Sequence, residues 1–218
     1  QIAGRIHSMA GRPHDAIAHL RAALRLSEEG SERQAGPVSL RGPSVGILHA
    51  DLGAALSMQG SVPEAQSHLA TAHALLVETG DPRNVGVVES TFSDLCRGQG
   101  RVDEARRHSR AALALFREVG DRRHEGRVLT QLGALHLDSG ELDVARGYLE
   151  EALGLCREFR DRGTEAAVLG NLATVLKNLG RTEESLAHFE AALVLQRRIG
   201  NRRHEAGLQS NRASLYLR

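Results

Sequence analysis

The sequence of 218 residues is short of the groups from which most sites are built. It has no tryptophan, two tyrosines and four phenylalanines, so it offers little on which unpaired bases could stack. Its two cysteines, Cys96 and Cys156, each sit inside an apolar helical pattern. They read as small buried hydrophobes of a reducing compartment, and a disulfide is not expected. Neither sign of charge dominates: 28 basic residues face 27 acidic ones, which removes the basic stripe of a nucleic-acid binder. No apolar run approaches the roughly 20 residues that span a bilayer, and no basic-then-apolar signal segment opens the chain. These absences predict a cytoplasmic protein that engages neither nucleic acid nor membrane.

Catalytic patterns are missing as well. There is no Gly-x-Ser-x-Gly, no phosphate-cradling glycine loop and no Cys–His pairing with local support, so no enzyme activity, cofactor or metal is expected. Lysine is nearly absent, with Lys177 standing alone against 27 arginines. That bias points to a GC-rich, bacterial genome. The sequence starts without Met and stops in mid-pattern at Arg218, as a piece of a longer protein would.

Glycine, in contrast, is plentiful and periodic. Gly60, Gly100, Gly140 and Gly180 stand 40 residues apart. Five residues after each comes a small side chain (Ala65, Ala105, Ala145, Ser185), and seven further on an alanine (Ala72, Ala112, Ala152, Ala192). Gly80, Gly120 and Gly200 keep the same beat with Arg160 in the missing slot, followed by Asp81, Asp121, Asp161 and Asn201. Several columns in one phase mark a true repeat.

Each unit reads as two amphipathic helices. Val128, Leu129, Leu132, Leu135 and Leu137 follow helical spacing within 122–138, and Ala145, Leu149, Ala152, Leu153 and Cys156 do so within 142–159. Gly140 suits a tight helix–helix turn, and Gly120 the position just past a helix end. Asp or Asn after that glycine is an N-cap, and Pro82 fits the first helical position. Ser61-Val62-Pro63-Glu64 has the form of a capping box. The predicted repeats are approximately 1–28 (with Gly11, Ala16, Leu20 and Ala23 in register), 45–80, 81–120, 121–160, 161–200 and a half repeat 201–218, in one array over 1–218. Residues 28–44, rich in Gly, Ser and Pro, form a longer inter-repeat loop. The half repeat ends on a helix with no partner and no polar cap, leaving Leu208, Leu215 and Leu217 as an apolar edge.

These columns resemble the tetratricopeptide repeat (TPR): Leu132-Gly133, Gly140, Ala145, Leu149 and Ala152 in one unit, Leu172-Ala173, Gly180, Ser185, Phe189 and Ala192 in the next. The 40-residue beat and Gly170-Asn171-Leu172-Ala173 are similar to the Pins/LGN type, to kinesin light chain and to arrays in large bacterial signalling proteins. The resemblance implies an all-α, right-handed superhelical solenoid of antiparallel helix pairs, about five repeats plus a lone terminal helix. It further implies a concave groove, lined by first helices, that holds a peptide or helix of a partner. The chain departs from the pattern in lacking Trp, in placing His136 and Cys96 where tyrosine is common, and in lacking the Asn/Lys set of chaperone-tail binders.

Three groups of residues are candidate sites. His124-Glu125 and His204-Glu205 lack the second histidine a zinc hydrolase needs, since Val128 and Leu208 stand there, so they read as first turns of helices. His19, His68, His108 and His188, with Tyr148, form a column whose rungs are too far apart to share a metal, and each is expected to pack against the next unit. Arg122-Arg123 and Arg202-Arg203 read as solvated charge or as receptors for acidic groups of a partner, since a guanidinium pairs bidentately with carboxylate. On first helices the face opposite the apolar stripe carries Asp51, Asp94, Arg97, Arg123, Arg127, Gln131, Asn171, Thr174, Lys177, Asn178, Arg203 and Asn211. The kinesin-light-chain resemblance implies that Asn171 and Asn211 hold partner backbone, with Asp51, Thr91 and Gln131 in the same slot elsewhere.

The expected function is therefore non-catalytic: a scaffold that binds a protein or peptide, with acidic groups, inside a larger signalling or transcription-regulatory protein. The alternative is self-association through the terminal helix as a homo-oligomer, or an intramolecular regulatory arm for a catalytic or DNA-binding domain of the parent.

Overall fold

A computed structural model describes residues 13–33 and 43–215, and these form ten α-helices and no strand. They are α1 (Pro13–Arg33), α2 (Pro43–Gln59), α3 (Val62–Glu78), α4 (Pro82–Gly98), α5 (Val102–Glu118), α6 (Arg122–Asp138), α7 (Leu142–Glu158), α8 (Arg162–Asn178), α9 (Thr182–Arg198) and α10 (Arg202–Ala213). Eight of them, α2 to α9, are 17 residues long, about 25 Å each at 1.5 Å per residue. Contacts divide the chain into two compact units, Gln1–Leu115 and Phe116–Arg218.

What sets the length is the closure of each helix. At the described junctions from α2 onward a backbone N–H returns to the carbonyl five residues before it: Ser61 to Leu56, Asp81 to Leu76, Asp121 to Phe116, Asp161 to Cys156. This is the six-to-one bond of the Schellman motif, and it requires a left-handed residue just before the donor. Gly120 supplies it at φ 70°. In the slot where the sequence departs from glycine, Arg160 is forced to φ 54°, the one non-glycine residue at positive φ among those described.

First and second helices start differently. Asp81, Asp121, Asp161 and Asn201 each accept the backbone N–H three residues on, from Asn84, His124, Thr164 and His204 at 3.0–3.3 Å. Ser61, Glu141 and Arg181 precede the second helices without a side-chain cap bond. The capping box expected at Ser61–Glu64 is thus not formed. Its carboxylate is drawn away to Arg21 of α1, with Nη2 2.6 Å from Oε2 of Glu64.

Within each unit the pairs are antiparallel neighbours in sequence and in space. In the first, α2 packs on α1, α3 and α4; in the second, α6 packs on α7 and α8, and α8 on α7 and α9. First helices therefore touch one another as well as their partners. The seam inside a pair is made by small residues. A Cβ on Gly133 would stand 2.6 Å from Cγ of Leu149 and 3.3 Å from the Ala145 carbonyl, and Gly53 meets Leu69 and Ala65 in the same way. Where the seam carries other residues it is closed by hydrogen bonds: Ser93 to Ser109 at 2.6 Å, Ser185 to the Ala173 carbonyl at 2.7 Å.

Both ends of the loop expected over 28–44 are helical. Helix α1 runs on to Arg33 and α2 begins at Pro43, because Glu28, Glu29, Glu32 and Arg33 favour helix enough to carry Gly30 and Ser31. Residues 34–42 lie outside the described residues, as do Gly11 and Leu217.

Arg160→Gly should stabilise the protein, since a non-glycine residue in the left-handed region costs about 1 kcal/mol. Gly120→Ala, with nothing near to clash, should lose a similar amount. For a chain of this size each corresponds to roughly 2–4 °C in thermal midpoint, and calorimetry of the two variants reads opposite signs.

Candidate partner-binding face

On α8 the side chains sort cleanly. Glu165, Ala166, Val168, Leu169, Gly170, Leu172, Ala173, Val175 and Leu176 are buried. Thr164, Ala167, Asn171, Thr174 and Asn178, at spacings of three and four, form a stripe that is not. The hydroxyls on this stripe are engaged within the helix: Thr174 donates to the Gly170 carbonyl and Thr164 to the Asp161 carboxylate, both at 3.0 Å. The amides of Asn171 and Asn178 have no such partner among the described residues. Lys177, beside the stripe, reaches the residue just past the end of α10 and donates to Ser214 at 3.1 Å.

The neighbouring first helices of the second unit carry Arg123, Arg127 and Gln131 on α6 and the exposed Asn211 on α10. Arg203 lies in α10, with its side chain outside the described residues. Arg123 Nε stands 3.7 Å from Asp161 Oδ2. Burial alone would raise the Asp161 carboxyl, but the two bonds from Thr164 and the charges of Arg123 and Arg127 outweigh it and hold it below the ordinary value. In the first unit Asp51 is half-buried on α2, while Asp94 and Arg97 are exposed on α4 and engaged with neighbours.

The remaining candidates resolve into packing. His124 donates its backbone N–H to Asp121, stacks on Phe116 at 5.0 Å between ring centres and sets Nδ1 2.9 Å from Asp121 Oδ2. Arg122 lies within 4 Å of Glu125 and Glu158. The histidine column turns out to pack against the first helix of its own pair, not against the next unit. His68 Nδ1 is 2.8 Å from His49 Nδ1, His108 stacks on Phe92 and bonds Glu89 at 2.7 Å, and Tyr148 stacks on His136. Helical spacing gave the face correctly; the close seam within a pair brings that face onto the first helix. His188 bonds the Glu184 carbonyl of its own turn, and His19 is exposed. The thiols are free and buried, and burial pushes that of Cys156 up to about 11, far from a reactive value. Leu208, expected on a bare edge, packs over α8 with Cδ2 2.6 Å from where a Cβ of Gly170 would stand.

Two family models described as tetratricopeptide repeat match residues 88–158 and 166–205, together just over half of the chain. The chain belongs to the tetratricopeptide repeat family. Among solved structures, BtubC from P. vanneervenii matches with a TM-score of 0.73 at 18% identity, over 94% of this chain and 83% of that one. A signal transduction ATPase with numerous domains from Pyrococcus horikoshii, with a tetratricopeptide repeat sensor, matches with 0.71 at 19% identity over 91% of this chain and 30% of its own. A kinesin light chain of Podosopora anserina with nearly identical TPR-like repeats matches with 0.59 at 18% identity, over 90% of this chain and 96% of that one. These likenesses show the fold. No curated protein matched the sequence. No helix among the described residues is long and apolar enough to cross a membrane.

Between TPR units lies a feature that the sequence reading missed. Glu125 and Glu165 are buried in the first turns of α6 and α8, and each takes an arginine from the end of the helix before it: Arg117 Nε at 2.8 Å and Arg157 Nε at 3.2 Å. Arg197 and Glu205 repeat the pair at 2.7 Å. Local spacing places Glu125 and Glu205 in the first turns of helices and names no partner for them. The signal was present as a second 40-residue register, Arg117/157/197 with Glu125/165/205, an arginine eight residues before a glutamate.

The setting of His68 predicts a pH dependence. Burial lowers the His68 pKa, the Arg21 charge adds to this and Glu64 opposes it. The unfolded chain then takes up the proton first, so the contribution is complete above 6.5 and is lost as pH falls towards the lowered folded value. Thermal midpoints measured from pH 7 to pH 5 should drop, and His68→Gln should flatten that part of the slope.

Proposed function

We propose that this TPR chain is a single non-catalytic array that binds an extended segment or helix of a partner protein along the faces of its first helices, as part of a larger signalling or transcription-regulatory protein. The observation that carries this reading is the α8 stripe, where the half-buried Asn171 amide faces outward with neither donor nor acceptor engaged among the described residues. An amide can accept a partner backbone N–H and donate to its carbonyl at the same time, which fixes register without demanding a particular side chain. Asn211 on α10 holds the equivalent position 40 residues on. Arg123 and Arg127 beside this stripe suit acidic groups on the partner. The solved neighbour from Pyrococcus horikoshii, in which repeats of this fold are called a sensor, supports placing the array in a regulatory protein.

Peptides selected from a random 12-residue display library on the full chain provide a direct measurement. Asn171→Ala with Asn211→Ala should weaken the selected binders about tenfold, the equivalent of 1.4 kcal/mol, with helicity by circular dichroism unchanged. Equal affinity for the double variant and the parent would remove the stripe from the binding face. Light scattering on the same chain would instead show a dimer if self-association were its role.

A further inference from the structure

The first unit carries an ionisable group that the fold leaves unserved. Its half-buried carboxylates are Asp51, Asp81, Glu89 and Glu104. Asp81 caps α4 and takes the Asn84 amide at 2.6 Å. Glu89 receives His73 at 3.0 Å and His108 at 2.7 Å. Glu104 has Arg101 and Arg107 within 4 Å. Asp51, in the middle of α2, has no hydrogen-bond or ion-pair partner among the described residues. Burial pushes its carboxyl up from the ordinary value, with no cation contributing.

Its surroundings along the helix are apolar. Ile47, Asp51, Ala54 and Met58 follow one another at spacings of four, three and four, so they share one face of α2. Ile47 and Ala54 are half-buried, and Met58 is 72% exposed, a large apolar side chain with little to pack against. An acid in mid-stripe with aliphatic surface on either side suits a side chain that is itself aliphatic along its stem and cationic at its end.

We infer that Asp51 is the receiving group for a lysine or arginine side chain of a protein partner laid across α2, its stem resting on the neighbouring Ile47 or Ala54 and its charge paired with the carboxylate. The inference rests on the reading that first-helix faces bind the partner, and it specifies for the first unit a chemistry opposite to that of Arg123 and Arg127 in the second. A cation is favoured over a neutral donor because a half-desolvated carboxylate gains most from opposite charge. Pairing also stabilises the ionised form, so binding should tighten as pH rises through the titration of Asp51.

The experiment uses the full chain and random 12-residue display peptides, selected in parallel on the parent and on Asp51→Asn. Peptides enriched only on the parent should carry lysine or arginine flanked by aliphatic residues. Asp51→Asn should weaken those peptides at least tenfold and leave peptides that depend on Asn171 unchanged. The variant should also be no less stable than the parent at pH 7. A carboxyl with a raised folded pKa costs stability as pH rises above 3.8, and the amide removes that cost. Binders sensitive to Asp51 that lack a cation, or binders sensitive to Asn171 with none sensitive to Asp51, would overturn this inference while leaving the first-helix reading in place. Binders indifferent to both positions would overturn both.

Discussion

The structure depends on how closely the two helices of a pair approach each other. At Gly133 and Gly53 there is no space for even a methyl group, because Leu149 and Leu69 already occupy it. Such an approach is possible only where one helix offers no side chain, and dense packing of this kind has a single register. The small residues that recur every 40 positions are the footprint of that contact. With the pair locked, the second helix covers one side of the first, the neighbouring first helix covers another, and what is left uncovered is a narrow stripe. The candidate binding face is therefore a by-product of the packing, defined by what the core does not use.

Much of this was legible in the sequence, and for one reason. Glycines at helix ends, small residues at the seam and aspartates at N-caps are each demanded by backbone geometry, which repeats when the fold repeats. Asp121 and Asp161 cap their helices as their position after the junction implies. The α8 stripe was legible too, since helical phase alone separates Asn171 and Asn178 from Leu172 and Val175. Side-chain partners were less accessible. The spacing of His68 and His108 fixes the face they occupy but not which of two adjacent helices that face meets. Ser61 and Glu64 match a capping box in spacing, yet Arg21 lies more than 40 residues away in sequence and takes the glutamate. Local pattern cannot anticipate a distant competitor.

The arginine–glutamate pairs extend the same lesson. A near-neutral chain with 28 basic and 27 acidic residues reads as a solvated surface. In the structure several of these charges are sorted into fixed places: Glu125 is 3% exposed and Glu165 5%. A carboxylate that deep is costly unless paired, and each is met by an arginine from the preceding helix as well as one from its own first turn. The junction between a second helix and the next first helix is thereby held by charge as well as by the Schellman closure. That fixes where α6 and α8 begin, and with it the phase of the stripe each presents.

Against this background of closed interactions, the few open ones carry information. Hydroxyls on the first-helix faces turn to their own backbone or, for Thr164, to the capping Asp161, Lys177 reaches Ser214, and the caps consume their aspartates. Asn171 and Asp51 are not absorbed in this way, although both are half-buried on faces that the repeat leaves uncovered. A polar group in a folded protein is normally satisfied by protein or by water, and partial burial restricts the water. Residues kept in that position contribute least to the stability of the array and have most to gain from contact with another molecule. In a fold whose periodic residues serve the scaffold, one register position on the open face changes from repeat to repeat, from Asp51 through Thr91 and Gln131 to Asn171 and Asn211, and that variation is what a partner on the proposed face would meet.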